Sequence, residues 1–120
     1  MGVHGPTDWS IFHTPAVATQ PVATKAAVTA QKHVCTSISA TIAAVAAQGL
    51  IQLNLRDGIT GVGTIIWSKQ VALPVGGVWE VNLTDLSIPG SIGNAMTLEL
   101  SGAPAATNYG SVALTGYDSA

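Results

Sequence analysis

From residue 50 onward the chain alternates: Ile51, Leu53 and Leu55 are apolar, while Gln52, Asn54 and Arg56 are polar. A period of two belongs to a strand with one face buried and the other wet, and a helix would not sort these residues so cleanly. Asp57-Gly58 follows, a pair that tolerates the backbone conformations of a turn. The next apolar run, Thr64-Ile65-Ile66-Trp67-Ser68, is β-branched and aromatic and suits a partner strand. These two segments predict a hairpin.

The same alternation recurs downstream. Trp79, Val81 and Leu83 are separated by Glu80, Asn82 and Thr84, and Met96, Leu98 and Leu100 by Thr97, Glu99 and Ser101. A last strand over 111–117 carries Val112 and Leu114. Upstream, 33–42 places Val34, Thr36, Ile38, Ala40 and Ile42 on one face and Cys35, Ser37, Ser39 and Thr41 on the other. A first strand over 22–29 is weaker, because Ala suits strands poorly. Residues 43–48 read as a strand end running into a loop, although one or two helical turns capped by Gly49 fit the composition equally. Turns come from Pro74 and Gly76-Gly77, from Pro89, Gly90 and Gly93, and from 102–110. Seven short strands between Gly- and Pro-rich turns are the signature of an antiparallel sandwich or barrel; the expectation adopted is an all-β fold, an antiparallel β-sandwich of jelly-roll-like type, over 22–120.

Residues 1–21 are expected to form an extended N-terminal arm. Gly2, Gly5, Pro6, Pro15 and Pro21 interrupt regular structure, yet the stretch holds Trp9 and Phe12, two of the chain's six aromatic residues. Aromatic side chains are costly to leave in water, so the arm should dock on something, either its own domain or a neighbouring subunit. Trp9, Phe12 and His13 are therefore the candidate interface residues.

With 120 residues the chain should form one domain that buries about two thirds of its unfolded surface, enough to fold without metal or disulfide. Charged residues make up 8% of it, against about 25% in ordinary soluble domains. So little solubilising charge suggests that much of the surface faces other protein. The four basic residues, Lys25, Lys32, Arg56 and Lys69, are scattered and the net charge is −2, which argues against nucleic acid as a partner. Cys35 is alone and can form no internal disulfide. No apolar run approaches the ~20 residues of a membrane span, so no membrane partner is expected. The first residues lack the basic start and apolar core of a signal peptide, so synthesis and folding in the cytoplasm are expected.

Candidate chemistry is sparse. His4 and His13 lie nine residues apart, which matches no compact zinc spacing, and neither a metal nor a cofactor is expected. The glycine-rich run Gly58-Ile59-Thr60-Gly61-Val62-Gly63 joins two strands, whereas a phosphate cradle opens a helix. Ser91 lacks the setting of a nucleophile elbow, and no partner base is evident. Asp57, Asp85, Asp118, Glu80 and Glu99 sit where turns and wet strand faces place acids anyway. No catalytic residue is assigned and no enzymatic activity is expected. Asn82-Leu83-Thr84 matches a glycosylation acceptor but reads as a wet strand position. Trp67 and Trp79 could offer a sugar-stacking platform, although core positions suit them better.

Leu53-Asn54-Leu55-Arg56-Asp57-Gly58, Gly63-Thr64-Ile65-Ile66-Trp67-Ser68 and the closing Leu114-Thr115-Gly116-Tyr117 give the run from 33 to 118 a further meaning. It resembles the small virion-associated proteins of tailed bacteriophages and prophages that decorate or cement a capsid. The resemblance implies a non-enzymatic structural β-sandwich on the virion's capsid surface. Its partners would be the major capsid protein and its own copies in a homotrimer, with terminal arms locking neighbours together. Two other roles remain open: a tail or neck component, and a carbohydrate-binding module that grips glycan through Trp67 or Tyr109.

Overall fold

The computed structural model describes residues 8–120. The expectations placed on His4, Gly2, Gly5 and Pro6 lie outside the described residues.

The chain forms strands β1 (Asp8–His13), β2 (Val22–Lys25), β3 (Lys32–Ala43), β4 (Gln48–Asp57), β5 (Thr64–Leu73), β6 (Val78–Leu83), β7 (Ile88–Pro89), β8 (Met96–Leu100) and β9 (Tyr109–Ser119). They build two antiparallel sheets, ordered β1-β9-β3-β6, with β7 also on β3, and β2-β8-β4-β5. Successive strands cross from one sheet to the other except along the β4–β5 hairpin and from β6 to β7, which gives the jelly-roll order of an antiparallel β-sandwich.

The predicted hairpin is present: β4 pairs with β5, Asn54 opposite Ser68 and Leu55 opposite Trp67. Ile51, Leu53 and Leu55 point between the sheets, where they meet Ile38, Ile42, Leu98 and Leu114. Trp67 and Trp79 both pack against this core from half-buried positions.

Three local readings change. Residues 8–13, within the predicted arm, form β1, hydrogen-bonded along β9 from Asp8↔Tyr117 to His13↔Val112. Cys35, expected on the face opposite Ile38, joins it in the core, because a bulge between Cys35 and Ser37 inserts one residue and resets the alternation. The third concerns the wet face of β8. Thr97 and Glu99 point away from the core, yet they are 0% and 1% exposed, because the β4–β5 loop folds back over them.

Antiparallel alternation sorts the connections into two ends. Loops 14–21, 44–47, 74–77 and 101–108 gather at one; loops 26–31, 58–63 and 84–95 gather at the other.

Candidate functional site

Of the three candidate interface residues, two are engaged within the domain. The Trp9 indole N–H donates to Asp118 Oδ1 at 2.8 Å, and its ring meets His33 edge-on, with centroids 5.5 Å apart. Gly116 makes room for it, since a Cβ there would lie 2.7 Å from the indole ring and run into the Val34 carbonyl. His33 is buried, with Nδ1 2.5 Å from Asp118 Oδ1 and Nε2 2.8 Å from the Ala26 carbonyl. His13 Nδ1 accepts the Val22 amide at 3.0 Å, pinning the turn from β1 to β2. Phe12 alone points outward, 75% exposed.

Phe12 stands on the outer face of the β1-β9-β3-β6 sheet. One row across that face reads Phe12, Ala113, Ser39, Asn82; the next reads Ser111, Thr41, Glu80; a third reads Tyr109, Ala43, Val78. Side chains between the aromatics are small, and Ser39 is held down by its bond to Asn82 Oδ1 at 2.8 Å. Glu80 is the charge in these rows. A flat lawn of Ala, Ser and Thr beside an exposed ring permits close approach by another backbone, with the ring as anchor.

The end formed by 14–21, 44–47, 74–77 and 101–108 contains no Lys, Arg, His, Asp or Glu. Two buried amides knit its loops. The Asn108 carbonyl accepts the Ala18 amide at 2.9 Å, and its side-chain Oδ1 accepts the Ala46 amide at 2.9 Å. Asn108 Nδ2 donates to Gln48 Oε1 at 3.1 Å, and that oxygen also accepts the Ala105 amide at 2.8 Å. The 44–47 and 74–77 loops exchange bonds through Ala44, Gly76 and Gly77. Ala18 and Thr107 are held at φ 55° and 72°, conformations that cost a residue with a Cβ energy and persist only where surroundings dictate them. Val17, Val45, Leu50 and Val75 project from this fixed frame, exposed by 40%, 60%, 71% and 72%.

At the opposite end lie most of the charged side chains, several of them internal. Glu99 accepts from Arg56 Nε at 2.5 Å, from the Thr60 hydroxyl, from the Gly61 amide at 3.1 Å and from Gln20 at 3.2 Å. Arg56 also donates to the Gly63 carbonyl at 2.7 Å, so one ion pair straps the β4–β5 loop to the sheet. Burial pushes the Asp57 carboxyl up, but hydrogen bonds from the Ser91 hydroxyl and amide and from Asn94 outweigh it and hold the group below its usual range. Beside them opens an apolar cleft of about 540 Å³, bordered by Ala26, Ala27, Ile59, Val62 and Ala95.

Burial pushes the Cys35 thiol up to about 11, which leaves it a poor nucleophile, although a backbone hydrogen bond at Ser37 opposes the shift. Among the described residues, no three His, Cys, Asp or Glu side chains are grouped to hold a metal ion. The signal for β1 was present in sequence, since Trp9, Ile11 and His13 alternate with Ser10 and Phe12. The uncharged end had no comparable signal, because each of its loops is ordinary by itself.

The fold defines a β-sandwich of jelly-roll order. No family model matches the chain, and no curated protein matches it in sequence. Solved structures similar to it include a CBM4 structure (TM-score 0.45, 13% identity, covering 92% of this chain and 71% of that one). Others are infectious bursal disease virus, Gx strain (TM-score 0.41, 15% identity, 90% and 32%), and the coat protein of Tobacco streak virus (TM-score 0.34, 5% identity, 95% and 88%). Carbohydrate-binding modules and viral coat proteins thus both occur among its β-sandwich neighbours.

Proposed function

We propose that this chain is a non-enzymatic structural protein of the capsid decoration or cement type. In this reading it is made in the host cytoplasm, assembles as a homotrimer and is carried on the capsid surface of a tailed bacteriophage. The observation that supports the reading is the outer face of the β1-β9-β3-β6 sheet, where exposed Phe12 rises beside a nearly uncharged lawn of Ala, Ser and Thr. Such a face suits a protein lattice. One contact of standard size, about 1,600 Å² in total, gains strength by repetition around a particle.

The test uses the full chain and purified capsids stripped of it. Phe12→Ala should weaken occupancy roughly tenfold or more, the range of an aromatic hot spot, and leave the melting temperature within a degree or two. Unchanged occupancy overturns the reading. Copy number then separates sites on the particle: hundreds per virion mark the shell, a handful the tail or neck.

One observation favours the carbohydrate-binding reading. Tyr109, 51% exposed, borders a small hollow of about 90 Å³ together with Thr14, Thr41 and Ser111, an aromatic face ringed by hydroxyls. Tyrosine and tryptophan fluorescence that responds to added host glycan would support it.

A further inference from the structure

We infer that the uncharged end of the sandwich is the face through which copies of this chain meet one another around a symmetry axis. The inference rests on the reading of the chain as a self-associating subunit and says where the copies touch.

A contact that lies on a symmetry axis sets each residue near the axis against its own copy. Any charge there faces a like charge, which is costly once water is excluded. Elsewhere the surface carries Lys25, Lys32, Lys69, Glu80 and Asp85. The four loops at 14–21, 44–47, 74–77 and 101–108 carry no charged residue, so they can oppose their own copies without this penalty.

Size agrees. β3 has twelve residues and spans about 40 Å at ~3.3 Å per residue, so of the molecular extents of 45, 33 and 21 Å only the longest can run along the strands. The end is therefore about 33 × 21 Å across, roughly 700 Å², close to the ~800 Å² each partner contributes to a standard interface.

The end is also preorganised. Asn108 and Gln48, 0% and 7% exposed, fix three of the loops and the head of β4 by hydrogen bonds. Ala18 and Thr107 are held in left-handed conformations within them. Little freedom is left to lose on association, which lowers the entropic cost of placing Val17, Val45, Leu50 and Val75 in a contact.

The experiment is light scattering on the full chain at about 100 μM, well above the dissociation constant expected of a standard-size specific contact. The wild type should show the mass of a closed oligomer. Val45→Asp and Leu50→Asp, each at an exposed position, should weaken association tenfold or more, so that on dilution the mass falls towards the monomer at a higher concentration than in the wild type, with the strand circular-dichroism spectrum retained. If one variant fails to fold, the other carries the test. A monomeric wild type, or association that neither substitution weakens, overturns the inference. Capsid occupancy of the Phe12→Ala chain is counted independently, so failure of the docking reading and failure of this one are told apart.

Discussion

Cys35 shows how one inserted residue reassigns a side chain. The bulge between Cys35 and Ser37 turns the thiol into the core, and burial holds its pKa near 11 instead of 9.0. The neutral thiol is thus the form that the folded state prefers. Its contribution to stability is complete below the unfolded value near 9 and is lost as pH rises through about 11. Chemical denaturation at pH 8 and at pH 10.5 should show a loss of stability in the wild type that is smaller in Cys35→Ala. Equal losses in both would mean that another group dominates. A thiol reagent at pH 8 should also label Cys35 only as the chain unfolds. Period-two reading assigned this residue to the wrong face, because a bulge has no marker in a run of small residues such as Cys35-Thr36-Ser37. Glu99 was misread for a different reason. Its strand was read correctly, but the Gly58–Gly63 loop that covers it comes from more than thirty residues upstream, and alternation reports only the local face.

Among the edge strands described, β5 is the longest. It is ten residues long with no Pro or Gly, the kind of strand that invites pairing with another chain. Lys69 guards it. Lys69 lies opposite core residue Leu53, so its side chain leaves β5 on the inward side, where an added sheet would have to bury its ammonium. Lys69→Val should remove that protection. Its solutions should aggregate at concentrations where the wild type stays clear, with intermolecular-sheet absorption in the infrared; equal solubility would assign the protection to the two register shifts between β4 and β5 instead. The strands of this region were legible in sequence because apolar and polar residues alternate along β4, β6 and β8. β1 was passed over although Trp9 and Ile11 alternate with Ser10, because Pro6 and Pro15 flank it and turn residues dominate its surroundings.

At the scale of the whole molecule, the first described strand is paired with the last, and Trp9 joins His33 and Asp118 across that seam. Removing residues 1–13 therefore does more than shorten an arm. It bares β9 and empties the space above Gly116, and for a half-buried Trp alone about 2–3 kcal/mol is at stake. The truncated chain should melt roughly 10 °C lower or fail to fold, as read by calorimetry. A melting temperature within two degrees of wild type would show that β1 is dispensable. The antiparallel β-sandwich class was legible from the spacing of strands and turns, and the uncharged end was not. Its four loops are separated by whole strands, and only the β1-β9-β3-β6 over β2-β8-β4-β5 order brings them together.

The amide hub at Asn108 and Gln48 divides labour between inside and outside. Loop shape there is dictated by buried groups, whereas Val17, Val45, Leu50 and Val75 project outward from it. Substitutions at those four positions should therefore leave the loop frame standing and change only what this end can bind.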